Sequence, residues 1–110
     1  MDFNKYQHLA ARTINPMLGV LEEEMHAVHL IAAECGEIHS IYQKRYQGHD
    51  FDPNHLKKEL GDLLWGIAEL CTNYGWPMDE VAELNIEKLK ERYPDGFEAE
   101  RSLHRQEGDV

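Results

Sequence analysis

Two runs of sequence decide the fold: residues 30–46, LIAAECGEIHSIYQKRY, and residues 53–74, PNHLKKELGDLLWGIAELCTNY. In both runs apolar residues recur every three or four positions, which is the spacing of one face of an α-helix. Pairs of acidic residues, three positions apart, interrupt both faces: Glu34 with Glu37 and Glu59 with Asp62. Carboxylates are unexpected beside a helix face that should be buried. The rest of the sequence is therefore read for a reason why they lie there.

The remainder of the chain also predicts helices. Four are expected, at about residues 2–15, 17–46 and 54–74 and from the break at 75–79 to about residue 92. Between the later helices, a glycine ends one helix and a proline begins the next. No segment alternates with a period of two over the length of a strand, so the class is all-α and the simplest architecture is four-helix bundle-like. The polar tail, residues 93–110, is expected to be a surface loop or partly disordered.

Length and charge narrow the possible functions. A chain of 110 residues predicts a single domain, residues 1–110. Its formal net charge of −10 repels nucleic-acid polymers and anionic membranes. We expect a cytoplasmic protein, since there is no apolar run of the roughly 18 residues that span a membrane and no secretory n-region. Cys35 and Cys71 have no Cys-x-x-Cys spacing, so we expect both to be small, reduced, buried residues.

Helical geometry places the acids on one cleft. At about 100° per residue, Glu34 lies near the middle of the apolar stripe of the second helix, and Glu37 lies about 60° to one side. On the third helix Glu59 and Asp62 flank the stripe by roughly 60° and 120°. Four converging carboxylates repel one another unless a cation neutralises them. An all-oxygen ligand set favours Mg²⁺, with Mn²⁺ also suitable. The alternative is that each pair lies on a solvated helix face.

The acid pairs are followed by residues 85–94, NIEKLKERYP. In this order and spacing, the three motifs resemble the MazG-like all-α nucleoside triphosphate pyrophosphohydrolases, most strongly over residues 30–97. The family usually has a further Glu before its first metal ligand, where this chain has Ala33. The resemblance implies hydrolysis of a nucleoside triphosphate between the α- and β-phosphates, which gives the monophosphate and pyrophosphate. It also implies that all four acids hold the metal and serve in catalysis.

Phosphate groups call for cationic contacts. Lys44 lies about 20° from Glu37 and two turns further along the second helix, where it is a candidate phosphate contact or a solvated lysine at a helix C-terminus. The resemblance also implies substrate contacts on the fourth helix and just after it, with capping, surface pairing and simple packing as the alternatives. These residues are Asn85, Lys88, Arg92 and Tyr93.

The long second and third helices have apolar residues on more than one side, so a second chain is expected to complete the bundle. The resemblance implies a homo-oligomer, either a dimer or a tetramer. Trp65 lies opposite the main stripe of the third helix. We expect its ring to lie at a subunit interface. Stacking on a nucleobase and simple exposure to solvent are the alternatives.

Two other functions fit parts of the pattern. A di-metal carboxylate bundle that handles oxygen requires Glu-x-x-His motifs on two helices, whereas only Glu23 to His26 has that spacing. The remaining histidines are expected to be solvated or to cap helices. A non-catalytic helical module that binds nucleotide or metal is the other alternative. No motif encodes a preference for a nucleobase or a sugar.

Overall fold

The computed structural model describes residues 1–106 and 108–110, and the regular elements within them are α-helices. Their bounds are Phe3–Ala11 (α1), Val20–Tyr46 (α2), Pro53–Tyr74 (α3), Met78–Arg92 (α4) and Ala99–Leu103 (α5). The all-α prediction is confirmed. The short helix α5 was not expected, because the sequence of the tail has no apolar periodicity. Among the described residues, no helix is both long enough and apolar enough to cross a membrane.

Local chemistry explains where the helices begin and end. The Asp52 side chain accepts a hydrogen bond of 2.9 Å from the Asn54 backbone N–H, and Pro53 occupies the first turn of α3. Gly75 ends α3 with φ of 74°, a left-handed conformation that favours glycine. Helix α2 starts at Val20, later than expected, because Asn15 holds the preceding residues in a turn by accepting from the Met17 N–H.

Helices α2 and α3 form a hairpin that makes up most of the tertiary packing, and α1 lies against α3. The two hairpin helices approach closely at Gly66, where an added Cβ would lie 3.1 Å from Ile31 Cγ1. The buried cluster around α3 consists of Ala68, Cys71 and Met78, with α1 packed on it. Helix α4 packs mainly against α1, so among the described residues the four longer helices do not surround one common core.

Much apolar surface remains open. The accessible area is 8434 Å², whereas a compact monomer of 12.8 kDa exposes about 6,300 Å². An outer seam of exposed α2 residues, spaced alternately by four and three, contributes to the excess: Leu21, Met25, Val28, Ala32, Cys35, His39 and Tyr42. The prediction that both cysteines are buried is therefore wrong for Cys35, which lies on this seam, and confirmed for Cys71. Apolar spacing alone could not distinguish the seam from a core face.

Candidate metal and phosphate site

Three of the four predicted acids meet between α2 and α3. Glu34, Glu59 and Asp62 each offer a carboxylate oxygen, and these three atoms lie within 4.8 Å of one another. Glu34 comes from α2, and the other two come from successive turns of α3. Glu34 and Glu59 are half-buried, whereas Asp62 is exposed. The hairpin thus forms an acid cluster, Glu34, Glu59 and Asp62, that is open on one side.

The charge on Glu34 is poorly compensated within the protein. Its Oε2 atom is buried and has no hydrogen-bond partner among the described residues. The pKa of Glu34 is raised to about 7, first because a proton between it and Glu59 forms a hydrogen bond, then because of burial and the negative charges of Asp62, Glu59 and Glu37. A buried, unpartnered oxygen among convergent carboxylates fits a hard divalent cation such as Mg²⁺ or Mn²⁺, which would take the place of the shared proton.

Glu37 lies outside the acid cluster and is exposed, although its charge still contributes to raising the pKa of Glu34. It lines a cavity of about 250 Å³ at the turn between α2 and α3. We call this space the turn cavity, and its other lining residues are Ser40, Ile41, Lys44, His49, Asp50, Asp52 and His55. Lys44 therefore lines the same cavity as Glu37.

Two neighbours of the acid cluster were not anticipated from sequence. His55 Nε2 lies 3.3 Å from Glu59 Oε1, and the only sequence signal for this contact is the spacing of four residues on one helix. Tyr6 is brought close to Asp62 by the packing of α1 on α3. Burial raises the pKa of the Tyr6 hydroxyl, and the negative charge of Asp62 raises it further. No motif predicts that contact, which depends on tertiary packing alone.

The fourth-helix candidates lie elsewhere in the chain. Among the described residues, Asn85, Lys88, Arg92 and Tyr93 belong neither to the acid cluster nor to the lining of the turn cavity. The guanidinium of Arg92 donates two hydrogen bonds to Asp109, from Nε to Oδ2 at 2.8 Å and from Nη2 to Oδ1 at 2.7 Å. Tyr93 packs against Phe97 with ring centroids 5.3 Å apart. Within the chain, Arg92 and Tyr93 therefore make contacts with the tail.

Trp65 has its partners inside the chain. Its indole Nε1 donates a hydrogen bond of 2.8 Å to Thr13 Oγ1, and its ring lies edge-on to His26 at a centroid distance of 6.1 Å. His26 in turn contacts the buried Glu69. Within the chain, Trp65 thus packs between α2, α3 and the segment that follows α1, and its expected place at a subunit interface stays a prediction.

Comparison with known proteins assigns the family. The profile described as the MazG nucleotide pyrophosphohydrolase domain matches residues 18–97, a range that includes both acid pairs and the NIEKLKERYP motif. Because the match covers more than half of the chain, the protein belongs to the MazG nucleotide pyrophosphohydrolase family. The suspected resemblance is confirmed, and a nucleotide pyrophosphohydrolase is the general class of activity. The curated proteins and the solved structures provide no significant match.

Proposed function

We propose that this protein hydrolyses nucleoside triphosphates, ribo or deoxy, between the α- and β-phosphates to give the monophosphate and pyrophosphate. The observation that carries the proposal is the convergence of Glu34, Glu59 and Asp62 within 4.8 Å, together with the buried, unpartnered oxygen of Glu34. Such an arrangement is unfavourable without a cation. It is suited to a divalent ion that also binds substrate phosphates.

In this proposal, Glu34, Glu59 and Asp62 hold Mg²⁺, or Mn²⁺ in its place, and Glu37 completes the set of four acids from the side of the turn cavity. A divalent cation there would neutralise phosphate charge and lower the pKa of a water bound to it. Because Glu37 is exposed beside the cavity, its carboxylate is free to orient the attacking water as a base. His55 restrains the side chain of Glu59.

The turn cavity is the proposed location of the β- and γ-phosphates. Lys44 lines it beside Glu37, and the cavity holds about 250 Å³. An ammonium group offers three donors to phosphate oxygens without a fixed geometry. The acids lie between this cavity and the rest of the hairpin groove, so the bond to be cleaved would lie at the metal. Lys44 then stabilises the leaving pyrophosphate.

We propose that the protein is a homo-oligomer, either a dimer or a tetramer. The radius of gyration is 17.2 Å, whereas a compact chain of this length has about 13 Å. The chain exposes about 2,100 Å² more surface than a compact monomer of its mass. Subunits of obligate homodimers bury areas of this size. We infer that α4 of one subunit lies over the cleft of another, where the fourth-helix candidates could contact the substrate: Asn85, Lys88, Arg92 and Tyr93.

The test is a product analysis. Purified protein is incubated with each common NTP and dNTP in the presence of Mg²⁺, and the products are separated by ion-exchange chromatography. Monophosphate and pyrophosphate in equal amounts are the expected products for at least one substrate. Release of single phosphate groups would mean a different bond is cleaved, and no product from any nucleotide would favour a non-catalytic binding module. The Glu59→Gln variant serves as the inactive control.

A further inference from the structure

The most completely buried carboxylate of the described residues lies outside the acid cluster. Glu69 on α3 is 1% exposed, and its Oε1 atom is 2.7 Å from His26 Nδ1 on α2. Its Oε2 atom is also buried and has no hydrogen-bond partner among the described residues. The imidazole itself is 47% exposed. Glu69 thus fixes the orientation of a half-exposed imidazole whose second nitrogen, Nε2, is left for a ligand.

Helix geometry puts this pair in the same groove as the acids. His26 precedes Glu34 by eight residues, and Glu69 follows Asp62 by seven. On antiparallel helices these offsets are about 12 and 10 Å in the same direction, at about 1.5 Å per residue. Lys44 follows His26 by 18 residues, which is about five full helical turns and returns to the same side of α2. The groove therefore has the turn cavity, which Lys44 lines, at one end, the acids in the middle and His26 at the other end.

Trp65 forms a fixed wall at the His26 end. Its ring is perpendicular to the imidazole, with an interplanar angle of 88°. The hydrogen bond from its indole to Thr13 ties it to the segment that follows α1. An aromatic ring held by its own polar atom keeps its orientation without a ligand, and it needs no rearrangement to receive one.

We propose that His26 and Trp65 form the nucleobase end of the substrate groove, with Glu69 as the positioning residue of His26. This inference rests on the proposed function, which places the phosphates at the acids and the turn cavity. A nucleotide has one highly charged end and one flat end with hydrogen-bonding edges. The end of the groove opposite Lys44 offers an imidazole nitrogen and an aromatic ring, which match the flat end. His26 Nε2 binds the edge of the base.

The experiment uses tryptophan fluorescence, which reports binding without turnover. The chain has two tryptophans, and Trp76 stacks on Tyr74 outside the groove. The Trp76→Phe variant therefore leaves Trp65 as the only indole and keeps an aromatic ring on Tyr74. Nucleoside monophosphates, added stepwise to the protein in the presence of Mg²⁺, should change the Trp65 emission in a saturable way. Ribose 5-phosphate has the same phosphate and no base, so it should leave the emission unchanged.

Three further substitutions in the Trp76→Phe background assign the effect. His26→Gln keeps a donor for Glu69 but loses the ring nitrogen, and it should bind monophosphates roughly tenfold more weakly, as expected for one lost hydrogen bond. Glu69→Gln should weaken binding and alter the ranking of the bases, while ribose 5-phosphate still gives no response. His29→Ala changes an exposed histidine one turn further along α2 and should bind as the parent does. Circular dichroism checks that each variant is folded.

The outcomes separate this inference from the proposed function. A base-dependent signal that His26→Gln weakens and His29→Ala preserves supports it. An equal response to ribose 5-phosphate, or unchanged affinity in the folded His26→Gln variant, overturns it. Hydrolysis of triphosphates by a protein whose Trp65 does not respond would overturn the inference and leave the proposed function standing. If the protein neither binds nor hydrolyses nucleotides, both fail.

Discussion

Replacing Glu34 by glutamine should stabilise the metal-free protein at alkaline pH and have little effect near pH 5. The pKa of Glu34 rises from 4.5 to about 7 on folding, so the folded state resists ionisation of this group. Its stabilising contribution is complete below the unfolded value and is lost as the pH rises through about 7. Glutamine carries no charge at any pH, so the variant does not suffer this loss.

The magnitude follows from the pKa and the exposure of the side chain. A rise from 4.5 to about 7 would amount to about 3 kcal/mol if it were expressed in full. Glu34 is only partly buried and solvent screens the repulsion, so we expect about 1 kcal/mol at pH 8. For a domain of this size, that difference corresponds to an increase in Tm of about 4–8 °C.

The assay is thermal unfolding by calorimetry in EDTA, from pH 5 to pH 8.5, for the wild type and Glu34→Gln. The other titrating groups are common to both proteins, so the difference in Tm reports position 34. Glu83→Gln removes an exposed carboxylate on α4 and should show no rising difference. A Glu34→Gln variant that is less stable than the wild type at pH 8, or a difference that does not change with pH, would refute the electrostatic account of the acid cluster.

Three other perturbations test separate parts of the structure. Mg²⁺ at about one hundred times its Kd should stabilise the wild type by about 2.7 kcal/mol, and a Tm no higher than in NaCl of equal ionic strength would contradict a metal site. Lys44→Ala should weaken inhibition by pyrophosphate, measured as Ki, by about tenfold, and an unchanged Ki would remove the turn cavity from the phosphate path. Gly61→Ala should raise the Tm, because a Cβ there meets no atom within 4 Å. Alanine is also favoured over glycine in a helix by up to about 1 kcal/mol. A lower Tm would show that the space is not open.

The parts of the account that were predictable from sequence depend on local geometry. Caps such as Asp52 and the left-handed Gly75 are determined by neighbouring residues, so the starts and ends of α3 could be predicted closely. The meeting of Glu34 with Asp62 was also predictable, because both lie beside apolar stripes that have to face each other. Angles about a helix axis are enough for that inference.

Contacts between distant helices were not predictable in the same way. The pairing of His26 with Glu69 joins residues 43 positions apart, and the Trp65 bond to Thr13 joins residues 52 positions apart. Both depend on how α1 and α2 pack on α3. Similarly, the sequence placed Asn85, Lys88 and Arg92 on the fourth helix but carried no information about which helix they meet.

We have proposed that Glu34, Glu59 and Asp62 bind the cation that supports hydrolysis of a nucleoside triphosphate. Its most direct test compares the wild type with Asp62→Asn, using the best substrate of the nucleotide panel and measuring pyrophosphate release with and without Mg²⁺. We expect Mg²⁺-dependent release of pyrophosphate by the wild type and none above background by a folded Asp62→Asn variant. Pyrophosphate release at the wild-type rate by that variant would contradict the assignment of the site.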